Sequence, residues 1–317
     1  MCSKEEMPII KLYPNIYDTF AGFRKKETIR MHEQTLSSRN IDLKFEITDN
    51  NYELVKGLKT PYCTLSNNIG TIYLTHEFLS FLWCISFYLF VIYENIQKQI
   101  QENEIWDGKI EQNELIEKST KLLSWGMSLK KNYSNWDKSF MNPSKYDSQE
   151  KIWVGSVNKI FLDAISLILF HEYTHIVQDH FSVHDDNDLQ KDLEREADNW
   201  AKELMVNYND GDKFKHHTGV GIIIAHLALL FVLKNPRSIK QKKHPDLDVR
   251  LFNSLEYFDI KNKKRDFYLK HLASVGLEMF CSIWNININK NNKYQDVEVL
   301  LNVYSKKLDE FKNEKCL

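Results

Sequence analysis

The chain has no excess charge of either sign: 42 Lys and Arg stand against 44 Asp and Glu, a formal net charge of −2. A dedicated nucleic-acid binder ordinarily presents a basic domain, so no nucleic-acid partner is expected. Cysteine is sparse. Cys2, Cys63, Cys84, Cys281 and Cys316 are scattered, odd in number and without metal-ligand spacing. That excludes a disulfide framework and suits a reducing cytoplasm. The opening residues Met1-Cys2-Ser3-Lys4-Glu5-Glu6 are acidic and lack an apolar run, unlike a secretory signal. There is no internal repeat and no low-complexity tail. No apolar run reaches the roughly 20 residues that cross a bilayer. The longest, Phe78 to Tyr93, has 16, lies between Glu77 and Glu94, and has no basic cluster beside it. A second run, Val220 to Leu233, is shorter and carries His226. Both read as buried core helices, so the expectation is a cytoplasmic protein without a membrane partner. Two such runs keep a membrane-associated alternative open.

The residues present describe an ordinary folded protein. Hydrophobic residues make up 43% and charged residues 27%, both usual for a globular domain. A chain of 317 residues can bury a sizeable core. One stretch organises it: Phe170-His171-Glu172-Tyr173-Thr174-His175. His171 and His175 are four apart, which on a helix places them on one face, a turn apart. Two imidazoles so placed can bind one Zn²⁺, with Glu172 between them as a base toward water at the open position. The preceding residues Ile160 to Phe170 are almost all apolar, and no Gly or Pro interrupts Ser156 to Phe181. Such a run implies a helix buried on most sides.

The His-Glu-x-x-His pattern alone also occurs by chance, as two surface histidines on an amphipathic helix. The downstream residues argue otherwise. After 18 residues comes Glu194-Arg195-Glu196-Ala197-Asp198, with Glu194 and Asp198 again four apart. A hydrolytic zinc site needs a third protein ligand and one open position, and Glu194 fits as that ligand. Asp198 fits as the acceptor that holds a ligand histidine's other ring nitrogen. Ala197 and Ala201 are small enough to let this helix lie close to the first. His180 and His184 are decoys without the register to close the site.

At these residues the sequence resembles the zincin metallopeptidases whose third ligand is a glutamate. His244-Pro245, four residues and then Arg250 is similar to an element of the HtpX and CAAX-prenyl endopeptidase group, where the histidine and arginine lie by the substrate. Length and general character look most like the Lit family of bacterial phage-exclusion peptidases. The specific resemblance covers about 80 residues, Phe170 to Arg250. It does not extend to metzincins, which place Gly and His where this chain has Gln178 and Phe181.

The fold expected is α+β and mainly helical, zincin-like, with an active-site helix, a glutamate helix and a small N-terminal sheet. One domain over 1–317 is expected, with strands and helices in 1–150 and the helical metal-site part in 151–317. Ile9 to Tyr13 and Ile41 to Ile47 alternate as half-buried strands do. Thr71 to Leu74, after the turn signal Asn67-Asn68-Ile69-Gly70, reads as an edge strand that could receive extended substrate backbone. Helices are expected over Thr28 to Gln34, Glu111 to Lys131, Asp188 to Asn207, Pro245 to Tyr257, Lys264 to Ile286 and Tyr294 to Glu314.

The resulting reading is a zinc endopeptidase. His171, His175 and Glu194 are the metal ligands, Glu172 is the base, and His244 or Arg250 is the second oxyanion donor, with Arg250 alternatively an anchor. Expected partners are a protein substrate and, as an open alternative, an activating peptide or protein. Resemblance to the Lit family implies an intracellular target, a translation elongation factor. A non-catalytic, zinc-stabilised regulatory protein is the competing class. Glu172 argues against it, because a structural site needs no base and usually closes with a fourth protein ligand.

Overall fold

The computed structural model describes residues 7–23, 27–51, 53, 57–103, 112–182, 186–207, 210–288 and 296–314. His184 and the expected helix start at Tyr294 lie outside them. The chain begins with a 3₁₀ turn, Pro8–Leu12, that runs into α1 (Tyr13–Phe23) and is followed by α2 (Glu27–Ser38). The expected strand over Ile9 to Tyr13 is therefore a helical turn. Pro8 presets the first residue, and Ile9, Leu12, Ile16 and Phe20 recur at helical spacing and are all buried.

A three-stranded sheet follows: β1 (Asp42–Thr48), β2 (Tyr62–Ser66) and β3 (Ile69–Thr75), in the order β1-β3-β2. β1 runs parallel to β3, with Asp42 opposite Ile69 and Thr48 opposite Thr75. β2 and β3 form a hairpin, closed by Asn67 and Asn68 with φ of 51° and 62°. Asparagine tolerates that left-handed pair of positions, whose twist matches the flanking strands. This corrects the expectation for Thr71 to Leu74. β3 is the central strand, because β1 occupies one side and the hairpin folds β2 onto the other. The edge beside the histidine helix is β2.

Eight α-helices, with 3₁₀ turns at His180–Ser182 and Pro236–Ile239 between them, complete the described elements. They are α3 (His76–Asn103), α4 (Glu114–Ser128), α5 (Lys151–Gln178), α6 (Asn187–Met205), α7 (Asp212–Val232), α8 (Leu247–Tyr257), α9 (Lys263–Ile283) and α10 (Val297–Asn313). The architecture is mainly helical with a small sheet, the α+β class expected. α5 is central, packed against α1, α3, α6 and α7. It is buried on nearly all faces from Ile160 to Val177, as its unbroken apolar run requires. Close approaches fix its neighbours. A Cβ on Gly70 would lie 2.5 Å from the Ile176 side chain, and one on Gly221 would lie 2.5 Å from Asp163 Cβ. The sheet and α7 can therefore reach α5 only where they have no side chain.

The Phe78 to Tyr93 run is part of a longer helix than its apolar residues suggest. Glu77 is absorbed at the start by accepting from the Asn50 backbone N–H at 2.8 Å, and the helix continues past Glu94 to Asn103. Among the described residues, three helical stretches are thus long and apolar enough to cross a membrane by length and composition: His76–Gln99, Lys151–Gln178 and Asp212–Val232. Most of the apolar surface of each is buried against the rest of the protein.

Candidate metal and hydrolytic site

α5 places His171 and His175 on the face turned toward α6, and α6 answers with Glu194 and Asp198, one turn apart. Ala197 and Ala201 are fully buried between the helices, so nothing larger than a methyl group separates them there. Glu194 reaches both rings. Its Oε2 lies 3.2 Å from His171 Nε2 and its Oε1 lies 3.4 Å from His175 Nε2, while the two Nε2 atoms are 3.2 Å apart. Ligand atoms held at about 2.0–2.1 Å around a tetrahedral ion are about 3.3 Å from one another. Measured to one or the other Glu194 oxygen, these separations are close to that value, and one ligand atom from each of His171, His175 and Glu194 lies within 4.8 Å of the other two, so the three residues form a triangle that could hold a metal.

The charges around the triangle fit a cation as well. His171 has a carboxylate at each ring nitrogen, with Asp198 Oδ1 3.0 Å from Nδ1. Burial opposes charge on this ring, but Asp198 and Glu194 outweigh burial and push its pKa up to about 10. Burial would raise Glu194, yet its contacts with His171, His175 and His244 hold it far below the usual carboxylate range. Asp198 is likewise held low against burial, chiefly by the Arg250 guanidinium. A ring with acceptors on both sides must be an imidazolium, or carry one proton at Nδ1 and offer Nε2 to a cation.

The other residues singled out from sequence surround this group. Arg250, on α8, grips Asp198 with two hydrogen bonds, from Nε to Oδ2 at 2.7 Å and from Nη2 to Oδ1 at 2.6 Å. That is the anchoring role, one layer behind His171. His244 precedes α8. The helix starts at Leu247 with Asp246 as its N-cap, so Pro245 is not in its first turn and the imidazole stands clear of the helix. Its Nδ1 lies 2.8 Å from Glu194 Oε2, and its side chain is 47% exposed. Glu172 lines a cleft of about 260 Å³ together with His171, Glu194, His244 and Arg250.

The Peptidase U49 family matches this chain over residues 72–273. The chain belongs to that family. It is also similar to the cell death peptidase of Escherichia coli (strain K12), with 28% identity over 232 residues that cover 71% of this chain and 74% of that protein. No solved structure matches. The chain is therefore a peptidase with a protein substrate, and the resemblance to the phage-exclusion peptidases agrees with the family found. The U49 span takes in the metal-capable triangle, Glu172, Asp198, His244 and Arg250, and also the second half of β3, with α3 and α7, around them.

Several residues that shape this peptidase site escape a reading by motif. Cys63, on edge strand β2, lies near Glu172, and burial together with Glu172 and Glu194 raises its pKa far above the ordinary thiol range. The thiol is thus protonated and faces the acidic residue of the motif. Thr60 and Pro61, just before β2, line the cleft, and Leu167, Leu229, Val232 and Leu247 give it an apolar wall. His226 lies behind, buried, with Nε2 2.8 Å from Ser254 Oγ. His180 is not at the triangle but on the far nitrogen of His175, with Nδ1 to Nδ1 at 2.9 Å. The alternation Tyr62-Cys63-Thr64-Leu65 beside the Asn67-Asn68 turn is a signal for β2 and its inward Cys63. Nothing in the spacing of His180 points to its contact.

Proposed function

We propose that this peptidase is a zinc-dependent, zincin-like endopeptidase of the cytoplasm, related in action to the Lit-type phage-exclusion peptidases. The observation that carries the reading is the group of His171, His175 and Glu194, with one ligand atom from each within 4.8 Å of the others, and with His171, Glu194 and Glu172 lining one cleft. These three residues would hold the ion, Asp198 would fix the His171 ring, and Arg250 would fix Asp198. When bound, Zn²⁺ supplies Lewis-acid polarisation and acidifies water at its open position. Glu172 takes the proton of the attacking water and delivers it to the departing amine nitrogen. His244 at the cleft mouth is the donor for the charge that develops on the carbonyl oxygen.

Substrate would enter as extended backbone along β2. Its inner edge pairs with β3, and among the described residues no strand pairs with its outer edge. An added strand satisfies its own backbone groups there while one side chain falls against the apolar wall of Leu167, Leu229 and Val232. The target is an intracellular protein. The Lit resemblance favours a translation elongation factor. The deciding experiment compares new protein termini in cells expressing wild type and Glu172→Gln. New termini at an elongation factor in wild type alone are expected. An identical set of termini in the two would sink the proteolytic reading.

A second reading, membrane-associated processing, draws on the three helical stretches of membrane-spanning length. Extraction settles it. Release of the protein without detergent supports the cytoplasmic form, and pelleting that survives alkaline wash supports the membrane form.

A further inference from the structure

His175 Nε2 faces Glu194 and His171, so its ring proton belongs on Nδ1. A buried N–H needs an acceptor, and the atom opposite is His180 Nδ1 at 2.9 Å. We propose that His180 is the positioning residue for His175, accepting from its Nδ1–H as a neutral imidazole and so doing for this ring what Asp198 does for His171. The inference rests on His175 being a metal ligand.

The local chain is built to bring His180 there. α5 ends at Gln178, and Asp179 turns left-handed at φ 59° and ψ 47° while its N–H returns to the His175 carbonyl. Aspartate is one of the few residues that adopt this conformation. Arg39, beyond the end of α2, clamps the turn. Its Nη1 donates to the Val177 carbonyl at 2.8 Å and its Nη2 pairs with Asp179 Oδ2 at 2.8 Å. A cation there also suits the negative end of the α5 dipole. The reversal folds the 3₁₀ turn His180–Ser182 back on the helix. The His180 ring lies at 77° to the His175 ring with centroids 5.0 Å apart, and its side chain is 5% exposed.

The tautomer follows from its surroundings. If His180 Nδ1 accepts, its proton sits on Nε2, and that nitrogen points to Glu196 Oε2 on α6 at 3.7 Å. His180 thereby links the two helices behind the metal-capable triangle. It cannot itself join the triangle in this arrangement, because it touches the nitrogen of His175 that faces away from Glu194.

The test uses the full chain, stripped of metal, as wild type, His180→Ala, His180→Asn and His175→Ala. Zn²⁺ affinity is measured by chelator competition, and the visible spectrum of the Co²⁺-loaded protein reports ligand geometry. His180→Ala is expected to bind Zn²⁺ about 10–100-fold more weakly, with an altered Co²⁺ spectrum. His180→Asn places an amide oxygen where Nδ1 stood and is expected to recover most of both. His175→Ala should lose binding altogether. Wild-type affinity and spectrum in His180→Ala would overturn the proposal, leaving the ligand assignment intact. A loss in His180→Ala as complete as in His175→Ala would overturn it in favour of His180 as a ligand. Should His180→Ala not fold, a folded His180→Asn no better than one tenth of wild-type affinity would equally overturn it. A wild-type chain that binds neither ion would sink the metal reading itself, and the proposal with it.

Discussion

Arg250 and Asp198 meet as two parallel hydrogen bonds, 2.7 Å and 2.6 Å long, joining α8 to α6. Both side chains are nearly buried, and the other flank of Asp198 touches His171 Nδ1. The pair therefore sets the position of a metal-capable histidine from a helix more than 50 residues further along the chain.

Breaking this pair should cost stability first. Arg250→Ala leaves the Asp198 carboxylate buried without its partner, a loss of about 3–5 kcal/mol for such pairs. Arg250→Lys keeps the charge but not the two-pronged geometry and should recover only part of it. Urea denaturation of the metal-free protein measures both. An Arg250→Ala protein as stable as wild type would mean that water or another cation replaces the guanidinium.

Metal content tests the triangle directly. The purified protein should hold close to one Zn²⁺ per chain, and His171→Ala or Glu194→Ala should lose it, because a site of three protein ligands tolerates no deletion. Asp198→Asn should only weaken binding, by about 10–100-fold. Full retention in Glu194→Ala, read by elemental analysis, would take Glu194 out of the ligand set.

His244 distinguishes two kinds of loss. As a donor used only in the transition state, its removal should lower kcat and kcat/KM together, by about 10²–10³-fold, with zinc content unchanged. Its Nδ1 stands 2.8 Å from Glu194 Oε2, so a support role for Glu194 makes the opposite demand. Under that role, His244→Ala would lose zinc affinity, and a zinc-saturated enzyme would turn over at the wild-type rate.

Much of this site is legible in the sequence because its residues come as pairs on helices. His171 with His175, and Glu194 with Asp198, share a face by spacing alone, and the apolar run from Ile160 marks a buried helix whatever its neighbours are. Contacts made across the fold are not legible. Cys63 reaches Glu172 only because β2 folds against β3, and a five-residue strand with one inward cysteine carries little pattern. His180 has the wrong register for α5, and only the left-handed turn at Asp179 brings it back. The strand expected over Ile9 to Tyr13 fails for a related reason. Five residues cannot separate alternation from helical spacing, and the continuing stripe of Leu12, Ile16 and Phe20 decides it.

Buried neutral histidines, His226 and His271 among them, should make the protein acid-sensitive. Burial, with a contribution from Arg250, lowers the pKa of His226 to about 3, and burial lowers that of His271 to about 4. Each is neutral in the fold and hydrogen-bonded there, His226 to Ser254 and His271 to Gln97. Unfolded, each would titrate near 6.5. At pH 7.5 both are neutral in either state and add no pH dependence. As pH falls below about 6.5, the unfolded chain takes up protons that the folded chain refuses, and each group then removes about 1.4 kcal/mol of stability per pH unit until its folded pKa is reached. Stability should therefore fall between pH 6.5 and pH 4.5, before most carboxylates have titrated. Urea denaturation at half-unit steps follows the slope. His271→Gln, which keeps a polar group beside Gln97 but cannot be protonated, should take its own share, about 1.4 kcal/mol per pH unit, out of a slope to which His216, also lowered by burial to about 4, contributes. A wild-type curve that stays level over this range would show that water reaches these rings and lets them charge in place.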